Sequence, residues 1–175
     1  MKHTIALTLF LAQCFLLAGQ SDTISLAESF SARAGTLIEK QYVDVGVILG
    51  LKVRVLKLKD IGAGTSLSAL RFEYEEVTTY NSTTKISVLD SDEVDGAISA
   101  IGAVLQAVYH TKRDVYTEVI YQSRDSFSCG AFFDVKKQDW TCFVHVGRYP
   151  KSKIYMKKED AAKVLGYIEK GKMMM

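Results

Sequence analysis

The sequence predicts an α+β fold of two antiparallel four-stranded units, each closed by a helix. Three observations carry this expectation. Residues 85–108 read as a short strand, an acidic helix start and a helix with an unbroken apolar face. A shorter strand–helix pair returns over residues 153–168. The segments before each pair alternate apolar and polar side chains, as a strand does when one face is buried and the other is wet. The resulting order is ββββα–ββββα.

The chain has 175 residues, 48% hydrophobic and 24% charged, which suits one globular domain of two halves. One Pro and twelve Gly argue against a long disordered linker. Residues 1–20 stand apart. Lys2 and His3 are a polar start, Ile5 to Ala18 is almost wholly apolar, and small residues Ala18 and Gly19 precede the polar Gln20 and Ser21. This is the pattern of a secretory signal peptide, and the apolar run falls short of the about 20 residues of a membrane span. Cleavage is expected near Gly19 or Gln20. Gln20 stands where a lipoprotein would need Cys, so no lipid or other membrane anchor is expected after cleavage. Loss of Lys2 leaves 21 basic and 20 acidic residues, a formal charge of +1. That balance is no footprint for nucleic acid.

The expected organisation is a signal peptide at 1–20, a helical lead-in at 21–35, and a single domain at 36–175. Its halves are 36–113 and 114–171, with a short frayed tail. Leu26, Ala27 and Phe30 share a helical face, Gly35 ends that helix, and it reads as a cover for a sheet edge. Residues 36–43 form the first expected strand and 47–59 the second. Leu51, Val53 and Val55 alternate with Lys52 and Arg54, and the phase then changes to Leu56 and Leu58. A phase change predicts a bulge near Val55 and Leu56. The loop 60–66 holds Gly62 and Gly64 but lacks the Lys of a phosphate-binding loop, so it reads as turn chemistry. In the third strand, 67–77, Leu70, Phe72 and Tyr74 oppose Arg71, Glu73 and Glu75. A polar turn at 78–84 contains the glycosylation sequon Asn81-Ser82-Thr83.

Residues 85–89 form the fourth strand. Asp90 fits a helix N-cap, with Glu93 completing a capping box. Val94, Ala97, Ile98, Ile101, Val104, Leu105 and Val108 then follow the 3.6-residue period, and Gly96 and Gly102 permit close approach to a sheet. In the second half, strands are expected at 115–123, 127–135, 140–146 and 153–156. A helix over 159–170 closes them, ended by Gly171, with a frayed tail at 173–175. Lys85-Ile86 aligns with Lys153-Ile154, and Ile98 and Ile101 with Leu165 and Ile168, which suggests an internal duplication.

Cys129 and Cys142 remain after export, where a disulfide is chemically permitted. With a hairpin loop at 136–139, Cys142 faces Phe133 and Cys129 faces Val146. The sulfurs then lie four residues apart on one face, whereas a disulfide needs Cα atoms within about 7 Å. Two buried free thiols are the preferred reading, with a disulfide as the alternative.

The ββββα–ββββα order over residues 36–170 resembles the Whirly and PUR families of single-strand nucleic-acid-binding proteins in topology, without their sequence motifs. The strings Leu70-Arg71-Phe72-Glu73-Tyr74 and Leu89-Asp90-Ser91-Asp92-Glu93-Val94-Asp95 look like those of exported bacterial proteins of uncharacterised function.

No reactive constellation emerges. Counted from Asp90 as a calcium loop, position five is Val94, position six Asp95 and position twelve Ile101, so Asp90, Asp92, Glu93 and Asp95 read as helix-start acids rather than a metal site. His110 and His145 belong to no metal-spaced pair, and Cys142 and His145 lie three apart on a strand, pointing oppositely. No catalytic residue, metal ligand or cofactor is therefore expected. Aromatics crowd the second half: Tyr116, Tyr121, Phe127, Phe132, Phe133, Trp140, Phe143, Tyr149 and Tyr155. Phe132, Phe143 and Tyr155 oppose the more apolar face of their strands and are the candidates for an exposed stacking platform. The leading reading is an exported, periplasmic or extracellular, non-catalytic binding or interaction module, with a protein or small molecule as partner. The alternatives are a single-stranded nucleic-acid-binding protein, a small-molecule carrier, or an enzyme with an unrecognised site.

Overall fold

A computed structural model describes residues 24–77, 81–147 and 153–175. The expected signal peptide, Tyr149 and Pro150 lie outside the described residues. The chain forms two four-stranded antiparallel sheets, each followed by a helix. The first comprises β1 (Ile38–Ile48), β2 (Leu51–Asp60), β3 (Ser66–Val77) and β4 (Ser82–Asp90), in that spatial order, and α2 (Val94–Gln106) follows. The second comprises β5 (Thr117–Gln122), β6 (Ser128–Asp134), β7 (Asp139–His145) and β8 (Lys153–Met156), and α3 (Lys158–Met174) follows. A short α1 (Leu26–Ser31) precedes the first sheet.

Each long helix crosses over. α2 lies on β5 and β6 of the second sheet, and α3 lies on β1, β2 and β3 of the first, touching β7. The helices also pack against each other. Small residues set these approaches. Gly96 of α2 sits against the Tyr121 ring, where an added Cβ would come within 3.1 Å, whereas Gly102 has open space. Gly171 of α3 lies over Leu70, and its Cβ would stand 2.5 Å from Leu70 Cδ2. One apolar cluster joins both sheets and both helices, with Phe72 and Phe127 stacked at 4.1 Å between the halves.

The first hairpin differs from the sequence reading. Val47 and Ile48 belong to β1, and Leu49 and Gly50, both at positive φ, make a two-residue turn into β2. β2 itself is unbroken, in continuous register with β3 from Leu51 opposite Tyr74 to Lys59 opposite Ser66. The apparent phase change at Val55 and Leu56 is instead a change in which face is covered. Leu51, Val53 and Val55 enter the main core, while Leu56 and Leu58 point outward beneath α1 with Ala69, Val88, Ala27 and Phe30. The bulge is in β1, between Asp44 and Gly46, and Gly46 lies against the Tyr167 ring. α1 therefore covers the outer face of β2, β3 and β4 rather than an edge.

Asp90 is also reassigned. It does not cap α2, whose N-cap is Glu93 without a side-chain bond. Its fully buried carboxylate accepts the backbone N–H groups of Leu26 (2.7 Å) and Ala27 (3.0 Å), at the start of α1. Half of the expected capping box survives, since the Glu93 carboxylate accepts the Asp90 N–H at 3.2 Å. At the other end, α3 does not stop at Gly171 with a frayed tail. It continues to Met174, because the small, buried Gly171 lets the last turn pass over Leu70.

The β6–β7 loop is one step earlier than expected. Asp134 pairs with Asp139, so Ala131 faces Cys142 and Cys129 faces Val144. The cysteines are two residues apart along their shared face rather than four, and both are free and buried. Burial pushes the Cys129 thiol up to about 12 and the Cys142 thiol to about 11.

Candidate functional site

α2 packs on the inner side of the second sheet, where α3 also touches β7, and among the described residues no helix packs on its outer face. The register places four residues in one row across that face: Ile120, Gly130, Phe143 and Tyr155. The flanking row runs Glu118, Phe132, Thr141, and the other Gln122, Ser128, His145, Lys153. Gly130 is required here, since a Cβ would stand 2.0 Å from the Val119 carbonyl oxygen. Phe143 lies next to that bare position and is only 1% exposed. It does not join an exposed platform, contrary to the sequence expectation. Lys153 Nζ lies 4.3 Å from its ring centroid and pairs with Glu118 at 3.0 Å, so an ion pair between the two edge strands spans the buried ring.

The other two suspected aromatics do reach the surface. Tyr155 is 59% exposed, and Phe132 is half-buried beside it, with ring centroids 5.9 Å apart in an edge-to-face arrangement. Tyr116, 63% exposed, extends the row with its ring 6.1 Å from Phe132. Ile120 (52%) adds aliphatic surface on β5, an edge strand of the sheet. A row of three rings with an exposed aliphatic on the same sheet, uncovered by any described residue, is the kind of surface that marks an interaction site. The sequence signal for it was the phase of Phe132 and Tyr155. Ile120 was missed because a lone aliphatic on a polar face carries no signal.

The remaining aromatics are core. Phe127, Phe133 and Trp140 are buried. The Trp140 indole N–H donates to the Thr111 carbonyl at 2.6 Å. The Tyr121 hydroxyl donates to the Glu93 carbonyl at 2.9 Å, and burial together with the Glu93 charge pushes its phenol up to about 12.

The acidic cluster is assembled but filled. Ligand oxygens of Asp90, Asp92 and Glu93 lie within 4.8 Å of one another, as a metal would require. The Arg124 guanidinium sits among them, 3.2 Å from Asp90 Oδ2, hydrogen-bonded to Asp92, with Nε 3.4 Å from Glu93 Oε1. The protein thus supplies its own cation, from a turn between β5 and β6 that no sequence pattern linked to these acids. Asp95 is drawn away to Lys172 at 2.6 Å. His110 Nε2 lies 3.1 Å from Lys158 Nζ, and His145 points to the outer face, away from Cys142. Among the described residues, these groups form no nucleophile–base pair. The crevice between α2, α3 and the second sheet, lined by Ile101, Val104, Cys129, Cys142, Met156 and Val164, holds about 10 Å³. That is the bare minimum for one water, so this part of the core has no room for a carried molecule.

No protein-family model, curated protein or solved structure matches this chain.

Proposed function

We propose that this chain is an exported, non-catalytic binding module that receives an apolar segment of a partner protein on the outer face of the β5–β8 sheet. One observation carries the reading: Tyr116, Ile120 and Tyr155 stand exposed on a sheet face that both long helices leave bare. Aromatic side chains are the enriched anchors of protein interfaces. The charge on this face also suits a protein partner. Lys153 is held by Glu118, so the patch presents a neutralised pair instead of a row of cations. Export is supported by the leader-like pattern of residues 1–20.

A photo-crosslinking residue at position 155, with position 163 on the exposed side of α3 as control, tests this in the native exported fraction. The expected result is a discrete protein adduct at 155, absent at 163 and lost when Ile120→Asp is added. Identical patterns at both positions, or no adduct at 155, refute it. A single-stranded nucleic acid is the second reading, favoured by the three-ring row and by the Whirly-like topology, since bases stack on such rings. Oligonucleotide binding that weakens steeply with salt and is lost in Tyr155→Ser would replace the protein reading with that one.

A further inference from the structure

A separate concavity lies outside the β5–β8 face. A cleft of about 580 Å³ opens between α1 and the outer face of the first sheet. That volume lies within the usual range for small-molecule sites, about 300–1,000 Å³. Its buried apolar wall is Ala27, Leu56 and Val88. Its polar lining includes Lys40, Tyr42 and Arg71.

We infer that this cleft binds an amphipathic carboxylate, a molecule with an apolar body and one anionic head. Arg71 is positioned for the head. Its Nε donates to Glu73 Oε1 at 2.6 Å, and its guanidinium lies 5.3 Å from the Tyr42 ring centroid. The terminal nitrogens of Arg71 make no hydrogen bond or ion pair among the described residues. Glu73 also lies 3.4 Å from Arg54 Nη1, but Arg54 is held by Asp44 at 2.7 Å, so Glu73 is left chiefly to the Nε of Arg71. Lys40 is exposed and has no ion pair among the described residues. Among the described lining residues three cations, Lys40, Arg71 and Lys85, face two carboxylates, Glu28 and Asp125. The Asp125 carboxylate accepts the Val88 N–H at 2.8 Å, and Glu28 is carried on the exposed side of α1. A planar fork in a cleft that Lys40 also lines matches a carboxylate with two parallel hydrogen bonds. The apolar wall then takes the body, which neither acetate nor an inorganic anion has.

Calorimetric titration of the whole chain with decanoate, decanol and acetate, below micelle-forming concentrations, tests this. Saturable one-to-one binding of decanoate is expected, with decanol and acetate each at least about tenfold weaker. Arg71→Gln should weaken decanoate about tenfold or more, and Lys40→Gln about threefold. Lys40 is exposed, so its variant folds as the parent does and keeps the test decisive if Arg71→Gln is destabilised. Equal affinity for decanoate and decanol, unchanged binding in Lys40→Gln, or no saturable binding overturns the inference. Tyr155→Ser should leave decanoate binding unchanged, because that residue lies on the other sheet, so failure here and failure of the protein-docking reading are distinguishable.

Discussion

Replacing Asp90 separates two accounts of how this molecule holds its N-terminal helix. In the structure the buried Asp90 carboxylate receives two backbone N–H groups, from Leu26 and Ala27, and lies 3.2 Å from Arg124. Hydrogen bonds to a charged acceptor are worth about 1.5–3 kcal/mol each, so the two set a ceiling near 6 kcal/mol. Water reaching the loosened α1 recovers part of that, and Arg124 keeps Asp92 and Glu93 as partners. A simple lost cap sets the floor at about 1 kcal/mol. Asp90→Ala should therefore destabilise the fold by about 2–4 kcal/mol. Asp90→Asn, which keeps one acceptor oxygen and loses the charge, should fall between it and the parent. Chemical denaturation measures the loss, and native-state hydrogen exchange locates it. Protection should fall at α1, above all at Leu26 and Ala27, while α2 amides from Asp95 onward follow only the global change. If α2 alone loses protection, Asp90 is the α2 cap that its sequence position suggests. If Asp90→Ala costs under about 0.5 kcal/mol, the buried carboxylate has no anchoring role.

Three further outcomes follow from the packing and ionisation. Gly171→Ala should cost about 1–3 kcal/mol by driving a methyl into Leu70, whereas Gly166→Ala, on an open helix surface, should raise stability by about 0.4–1 kcal/mol; thermal melts of the pair check both. Cys129 and Cys142, buried with thiols pushed up to about 12 and about 11, should resist thiol reagents at pH 8 in the native protein and react once denaturant is added; rapid labelling without denaturant contradicts their burial. Tyr121 should titrate in the folded protein near pH 12 rather than 10. Unfolded tyrosine loses its proton near pH 10, so the folded state binds more protons between about 10 and 12, and stability is full below pH 10 and falls as pH rises through that window. Ultraviolet phenolate titration should show a late component that loses amplitude in Tyr121→Phe, with burial also holding Tyr109 above the usual value.

Several errors of the sequence reading share one cause. Periodicity records that a side chain is covered, not by what. Leu56 and Leu58 looked like a slip in the strand because their cover, α1, belongs to another part of the chain. Phe143 looked like platform because its phase is outward, and the Lys153–Glu118 pair that covers it joins residues 35 positions apart. Arg124 looked like a turn residue, and only folding brings it among Asp90, Asp92 and Glu93. Gly171 looked like a stop because its neighbour Leu70 is distant in sequence.

The number, type and order of the strands and long helices, together with the antiparallel hairpins, were legible from the residues alone. These follow from local burial periods and turn residues that act within a few positions. The sequence also marked Phe132 and Tyr155 as out of phase with the core. That α2 crosses to the second sheet and α3 to the first was not legible there and is set by long-range packing. Both sheets offer an apolar inner face, and a helix stripe is complementary to either. Packing two helices against two sheets around one core resolves that choice, and the same choice leaves the aromatic face of the second sheet bare.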